Sequence, residues 1–216
     1  MAFWDKNALN ELSQKQTIHL INSITGIKPG NLISTRDSNG AHNVAVFSSV
    51  VHLGSAPPLL GFVLRPKGAV TRHTYDNILE TGLYNINAIH QDWADKAHST
   101  SLKFAKTESE FEAVGLPAQF REGNPVPFVE GAPIQIGMKH LQSIDIELNG
   151  TTLVIGEVQS VFVPDQGVDE EGRLDLETLQ VAGVSGLNGY YSFKHLAEFS
   201  QPEMDSPLVN LLKAES

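Results

Sequence analysis

Apolar residues in this chain come in short runs of four to eight, many of them alternating with polar ones, and the runs are broken by glycine, proline and small polar groups. That is the periodicity of strands joined by turns. The block from Asn31 to Asn77 is the most explicit. Asn31 to Thr35 begins a strand, and Asp37, Ser38, Asn39 and Gly40 supply the side chains that a short hairpin connection tolerates. Val44 and Val46 then alternate with Ala45 and Phe47, and Ser48 and Ser49 end the return strand. Gly54 to Pro58 makes a break, and Leu59 to Leu64 is continuously apolar, as a strand covered on both faces would be. Arg65 and Pro66 end it. Val70 to Glu80 carries a helical spacing with Gly82 as its stop, and Leu83 to Ile89 alternates as the next strand.

Further along, Asp92 to Glu112 reads as a helix of mixed charge anchored by Trp93 and Phe104, and Gly115 to Pro127 as a loop rich in glycine and proline. Because glutamates 108, 110 and 112 follow Lys96, Lys103 and Lys106 closely, this run is expected to be a solvated face and not an anion site. Pro133 to Leu148 and Thr151 to Val163 form a strand pair around Asn149 and Gly150, a strong hairpin signal. Residues 5 to 24 begin as a short helix, residues 180 to 193 as a glycine-rich turn region, and the tail from Lys194 to Ser216 as partly helical and peripheral. The expected class is mainly β with peripheral helices, in one domain spanning residues 1–216.

Composition narrows the chemistry. At 216 residues and 41% hydrophobic content the chain can bury a core, and with no cysteine it has no disulfide, thiolate metal site or cysteine nucleophile. A formal net charge of -10 opposes nonspecific binding to nucleic acid or to anionic membrane surfaces, so neither is expected as a partner. Asp5 and Lys6 interrupt what would be a signal core, and no long apolar run follows, so a cytoplasmic protein is expected.

Few motifs survive inspection. The acidic stretch from Asp165 has Glu170 where a calcium loop needs glycine, Gly183, Gly186 and Gly189 do not match a dinucleotide fingerprint, and no GxSxG elbow occurs. The eight histidines are scattered, and no metal is assigned. What remains is a basic cluster, Arg65, Lys67, Arg72 and His73, at a strand end and around a helix start, with Thr71 and Thr74 as hydroxyl donors. Such a place suits a phosphate, and it equally suits a solvated helix cap. Asn43, Ser48 and Ser49 offer hydrogen bonds to a planar heterocycle, or to the local backbone.

Beyond these spacings, the ordered segments NLIST, NGAHNVAVFSS, PPLLGFVLRP, RHTYDNILETGLYNIN, EFEAVGLP, TLVIGEVQSVFV and GRLDLETLQVAGVSGLNGYY resemble the flavin reductase-like, FMN-binding split-barrel family, including its flavoredoxin-type members. The resemblance implies a Greek-key split β-barrel, a homodimer, and FMN near the dimer interface. It places Ser34 and Thr35 where the first strand meets the flavin, and Asn43, Phe47, Ser48 and Ser49 along the isoalloxazine ring. It places Arg65, Lys67, Thr71 and Thr74 at the phosphate, and Asn188 and Tyr190 in a segment that closes over the flavin. Lys28 and Pro29 stand where many relatives have arginine and proline, and Lys28 is left out of the site. The implied chemistry belongs mainly to the cofactor: hydride from NADH or NADPH reaches FMN, and the electrons pass to a flavin, a protein or a small acceptor. Two alternatives stand beside it, an FMN-binding electron-transfer protein without a nicotinamide site and a flavin-free β-barrel that binds another anion or nothing.

Overall fold

The computed structural model describes residues 1–66, 73–105, 108–202 and 209–211. Two amphipathic helices, α1 (Lys6–Glu11) and α2 (Gln14–Ser23), open the chain, the second closed by a capping box in which Ser13 and Gln16 satisfy each other's backbone amides. Five strands follow: β1 (Lys28–Pro29), β2 (Asn31–Arg36), β3 (His42–Phe47), β4 (Val51–Ser55) and β5 (Pro58–Leu64). Helix α3 (His73–Thr81) ends at Gly82, whose φ of 71° lets its amide reach Ile78 O at 2.8 Å. Then come β6 (Leu83–Ala88), α4 (Ala94–Ser99), α5 (Glu110–Ala113), β7 (Ala118–Arg121), β8 (Asn124–Val129), β9 (Gln135–Ile146), β10 (Thr151–Phe162), β11 (Ala182–Ser185) and β12 (Gly189–Ser192).

Seven strands form one antiparallel sheet in the order β3-β2-β6-β9-β10-β5-β4. Its two outermost strands are joined by only residues 48 to 50. Laid flat, six strand spacings would separate those edges by about 29 Å, whereas the four Cα steps from Phe47 to Val51 reach at most about 15 Å. The sheet therefore has to curl. Its interior shows that it does, because Ile33, Phe62, Tyr84, Met138 and Val154, from five of the strands, pack in one core cluster with Ile78 of α3. Phe47 of β3 meets Phe62 of β5 edge to face at 5.1 Å. Across the seam the Ser49 hydroxyl donates to Val63 O at 3.0 Å and accepts from Val63 N at 3.1 Å, standing in for a backbone rung.

A second layer is attached through buried amides. Pro125 and Pro127 deprive β8 of two ladder donors, and side chains of the sheet bind its backbone instead. Asn87 Oδ1 accepts from Val129 N at 2.9 Å, Asn85 Nδ2 donates to Val126 O at 2.9 Å, and the Ser34 hydroxyl donates to Pro127 O at 2.6 Å. Asn87 Nδ2 in turn donates to Ser34 Oγ at 3.1 Å.

The mainly β class with helices at the periphery is thus as expected, with three local differences. The expected helix over 92–112 is broken into a 3₁₀ turn at 91–93 and the short α4 and α5, because the hydroxyls of Ser99 and Thr100 bond back to Asp95 O and Ala97 O and close α4. The expected loop at 115–127 contains the β7–β8 hairpin, its turn made at Gly123 with φ 79°. Residues 180–193 hold a β11–β12 hairpin, not a turn region, and the tail has no α-helix among its described residues.

Gly156 of β10 leaves room for a large neighbour. A Cβ there would overlap the Tyr84 hydroxyl and stand 2.9 Å from Lys139 O, and that hydroxyl is buried with no hydrogen-bond partner among the described residues. Gly156→Ala is expected to destabilise the fold by about 1–3 kcal/mol, and adding Tyr84→Phe should recover part of the loss. Thermal unfolding checks this; an unchanged melting temperature for Gly156→Ala would contradict the packing described.

Candidate functional site

The seam of the curled sheet opens into a cleft of about 920 Å³. One wall is the end of β3 and its exit, with Asn43, Phe47, Ser48 and Ser49. Val63 to Pro66, at the end of β5, and His73 and Thr74 of α3 form one end. Ile21, Asn22, Thr25 and Lys28 come from α2 and β1, His98 and Thr100 to Phe104 from α4 and the segment after it, and Val184, Leu187 and Tyr190 from the β11–β12 hairpin. The apolar side chains of Phe47, Leu64, Phe104 and Leu187 give it surfaces on which a flat ring can lie.

Charge in the cleft runs against the charge of the whole protein. Its described lining includes the cations Lys28, Arg65 and Lys103 with the imidazoles of His73 and His98, against one carboxylate, Glu110, in a chain of net charge -10. Arg65 is exposed and forms no ion pair among the described residues. Lys28 Nζ donates to Asn22 O at 2.7 Å, which ties β1 to α2 and holds the amine in the wall.

Hydrogen bonds set what the wall can offer. Ser49's single proton goes to Val63 O, so toward a ligand it can accept but not donate. The Asn43 amide lies 3.0 Å from Thr74 Oγ1 and 3.0 Å from Glu110 Oε1, and the orientation that satisfies both has its nitrogen donating to the carboxylate and its oxygen accepting from the hydroxyl. Glu110 Oε2 also accepts from Val44 N at 3.3 Å. Burial raises the Glu110 carboxyl above its ordinary value, opposed in part by backbone hydrogen bonds from Glu110 and Val44. Across the cleft, the Tyr190 hydroxyl sits 3.3 Å from His98 Nδ1, and burial pushes the phenol up to about 12, so it stays protonated near neutrality.

Of the residues expected at the site, Asn43, Phe47, Ser48, Ser49, Arg65, Thr74 and Tyr190 are brought together in this cleft. Ser34 and Thr35 are not. Both are fully buried, Ser34 clasping β8 and Thr35 accepting from Asn77 Nδ2 of α3 at 3.0 Å, which fixes that helix to β2. Asn188 is exposed in the β11–β12 turn, outside the lining. Lys67 and Thr71, with Arg72, lie outside the described residues. Lys28, His98, Lys103 and Glu110 line the cleft without having been expected there. Lys103 follows the end of α4, so the helix-face reading does not apply to it, and Glu110 faces inward at 6% exposure. Only the alternation of Glu110 and Glu112 around the buried Phe111 hinted that one glutamate of that run turns in.

Residues 27–180 match the family model described as a flavin reductase like domain. A solved structure from Shewanella frigidimarina NCIMB 400, named provisionally as a flavin reductase with a split barrel domain, is 39% identical, covers 94% of this chain and all of its own, and superposes with a TM-score of 0.90. Nitrilotriacetate monooxygenase component B from Bacillus cereus is 21% identical over 92% of this chain and 98% of its own, with a TM-score of 0.80. Flavoredoxin of Desulfovibrio vulgaris (Miyazaki F) is 22% identical over 83% and 92%, with a TM-score of 0.68. These last two share the fold.

The burial of Glu110 has a consequence for stability. A carboxyl whose value is raised in the folded protein binds more protons there than in the unfolded chain between its ordinary and its raised value, so stability falls as pH rises through that window. Glu110→Gln lacks this loss. In urea unfolding the variant should gain on the wild type as pH rises above the ordinary glutamate value of 4.5, and a difference that stays constant from pH 4 to 8 would contradict the assignment.

Proposed function

The chain belongs to the flavin reductase-like family, whose model spans residues 27–180, and on that premise we propose that it is an FMN-binding oxidoreductase of the cytoplasm. It takes hydride from NADH or NADPH and passes electrons to a flavin, a protein or a small acceptor. The observation that carries this reading is the cleft itself, apolar on its faces and cationic at its rim in an acidic protein. Among ligands, that combination suits a large aromatic anion.

The donor set fits FMN part by part. Arg65, exposed at the end of β5, meets the phosphate with a guanidinium that can form paired charge-assisted hydrogen bonds, and Thr74 stands beside it on α3. Phe47 and the backbone around Ser48 flank the ring, and Ser48 hydrogen-bonds its polar edge, while Asn43, its amide engaged by Glu110 and Thr74, acts from behind. Lys67 and Thr71 share the phosphate role implied by the resemblance. Bound there, FMN supplies two-electron chemistry that no side chain of this cysteine-free protein has. The chain's own part is to hold the ring, to exclude water from one face through Leu187 and Tyr190, and to set fixed donors where negative charge accumulates. Tyr190, kept protonated and 3.3 Å from His98, offers a stable hydroxyl on the open side.

The partner we propose is a second copy. On the outside of the sheet, Leu53 and Leu153 converge over Gly61, where a Cβ would lie 3.0 and 3.1 Å from their methyl carbons, and Ile144 pairs with Leu153 in register. Leu53 and Ile144, at the two ends of this apolar stripe across four adjacent strands, are each 42% exposed. No helix among the described residues is long and apolar enough to cross a membrane.

Purified protein should show a flavin spectrum after incubation with FMN and should lose its absorbance near 450 nm when NADH or NADPH is added without oxygen. A colourless protein whose melting temperature ignores FMN would refute the flavin reading, and a bound flavin that neither nicotinamide bleaches would leave electron transfer without a nicotinamide site. Arg65→Ala should weaken FMN about fivefold, given an exposed charge-assisted contact, and leave riboflavin within twofold. Equal losses for the two flavins would contradict the role of Arg65.

A further inference from the structure

One carboxylate lines the cleft among its described residues, and it sits beside the end to which the reading above assigns the phosphate. Glu110, Asn43 and Thr74 are 6%, 7% and 6% exposed and form one hydrogen-bonded file from α5 through β3 to α3. Because an amide has a donor at one end and an acceptor at the other, such a file has a direction, and reversing it changes what the last group presents.

With Glu110 ionised, the file points inward. Asn43 Nδ2 donates to Glu110 Oε1 and Asn43 Oδ1 accepts from Thr74 Oγ1, each at 3.0 Å. Thr74's only proton is then spent on Asn43, and it shows the cleft lone pairs, which repel a phosphate oxygen. With Glu110 protonated, the carboxyl donates to Asn43 Oδ1 and the amide turns over, so that Nδ2 donates to Thr74 Oγ1 across the same 3.0 Å. The threonine proton is freed to point outward. Val44 N lies 3.3 Å from Glu110 Oε2, and in the inward arrangement it also has Asn43 Oδ1 as an acceptor at 3.1 Å, a contact that the reversal gives up.

We propose that Glu110 is a positioning residue that couples binding of the phosphate to uptake of one proton, by reversing the Asn43 amide and turning Thr74 from an acceptor into a donor. The inference rests on the FMN reading and adds a regulatory property to the same site. The balance is simple: one proton moves from solvent to Glu110 and no covalent bond changes besides that O–H. Burial raises the carboxyl above its ordinary value, which favours this uptake.

Other titratable groups face Glu110. Asp37 at the β2–β3 turn, His42 on β3, His73 on α3 and Glu108 before α5 share a small void with it, and Arg65 and Lys103 face it across the cleft. The histidines are titratable groups too, so the test has to separate them.

Dissociation constants for FMN and riboflavin, read from flavin fluorescence between pH 5.5 and 9, make that separation for wild type, Glu110→Gln and Thr74→Val. Glu110→Gln leaves no ionised carboxylate to hold the file in its inward direction, and its amide can donate to Asn43 at any pH. The ratio of wild-type to Glu110→Gln affinity constants for FMN should fall with pH, approaching tenfold per pH unit above the Glu110 value, while riboflavin shows no such trend. Thr74→Val should abolish the effect of Glu110→Gln, an outcome that uptake by a histidine would not produce. If Glu110→Gln does not fold, calorimetry of FMN binding at pH 7.5 in buffers of different ionisation enthalpy replaces it: proton uptake in wild type that disappears in Thr74→Val is expected. Parallel pH curves for wild type and Glu110→Gln, or uptake unchanged in Thr74→Val, would overturn the inference while leaving FMN binding intact. Failure of the wild type to bind FMN at any pH would instead remove the reading beneath it.

Discussion

Three residues, Ser48, Ser49 and Val50, join the two outermost strands of a seven-stranded sheet, and most of the molecule follows from that short tether. A chain that cannot span a flat sheet forces the sheet to close on itself, but it closes only where the tether is. There the rungs of backbone hydrogen bonds stop, and Ser49 binds both polar groups of Val63 in their place while Phe47 and Phe62 fill the interior behind it. The seam is thus a barrel wall made of side chains, and a seam can admit a ligand where a ladder could not.

What surrounds the seam is consistent with that use. The β7–β8 hairpin, bound through Asn85, Asn87 and Ser34, holds β2 and β6 rigid on the far side, because buried amides left without these partners would each cost about 1–3 kcal/mol. Helix α3 is fixed to β2 through Thr35 and Asn77, which sets the position of Thr74 at the cleft's end. α2, with no buried residue of its own, gives Ile21 and Asn22 to the opposite rim. Two residues expected at the flavin, Ser34 and Thr35, lie one layer further back, where they hold β8 and α3 to the sheet.

Much of this was legible in the sequence, and the exceptions have physical causes. Alternation located β3, β6 and β9, a continuous apolar run located β5, and turn signals located β2 and β10, with Asn149–Gly150 marking its hairpin by the need for positive φ, 71° at Gly150. The β7–β8 hairpin was hidden because its prolines read as loop signals, and only side-chain amides from distant strands make them tolerable. The break between α4 and α5 was hidden because a pattern of charges cannot show hydroxyls folding back on carbonyls. The seven cleft residues that were anticipated came from ordered resemblance more than from spacing. The inward turn of Glu110 and the arrival of Lys28 and Lys103 depend on how three separate segments, α5, β1 and the stretch after α4, meet, which periodicity along one chain does not encode.

The central claim is that the seam holds FMN with its phosphate between Arg65 and Thr74 and its ring along Phe47 to Ser49. A crystal structure of the protein with FMN tests this most directly. The account predicts phosphate oxygens within hydrogen-bonding distance of the Arg65 guanidinium and the Thr74 hydroxyl, with the ring against the β3 exit. Flavin bound elsewhere, or bound in the seam with its phosphate at the opposite rim beside Lys28, would contradict it.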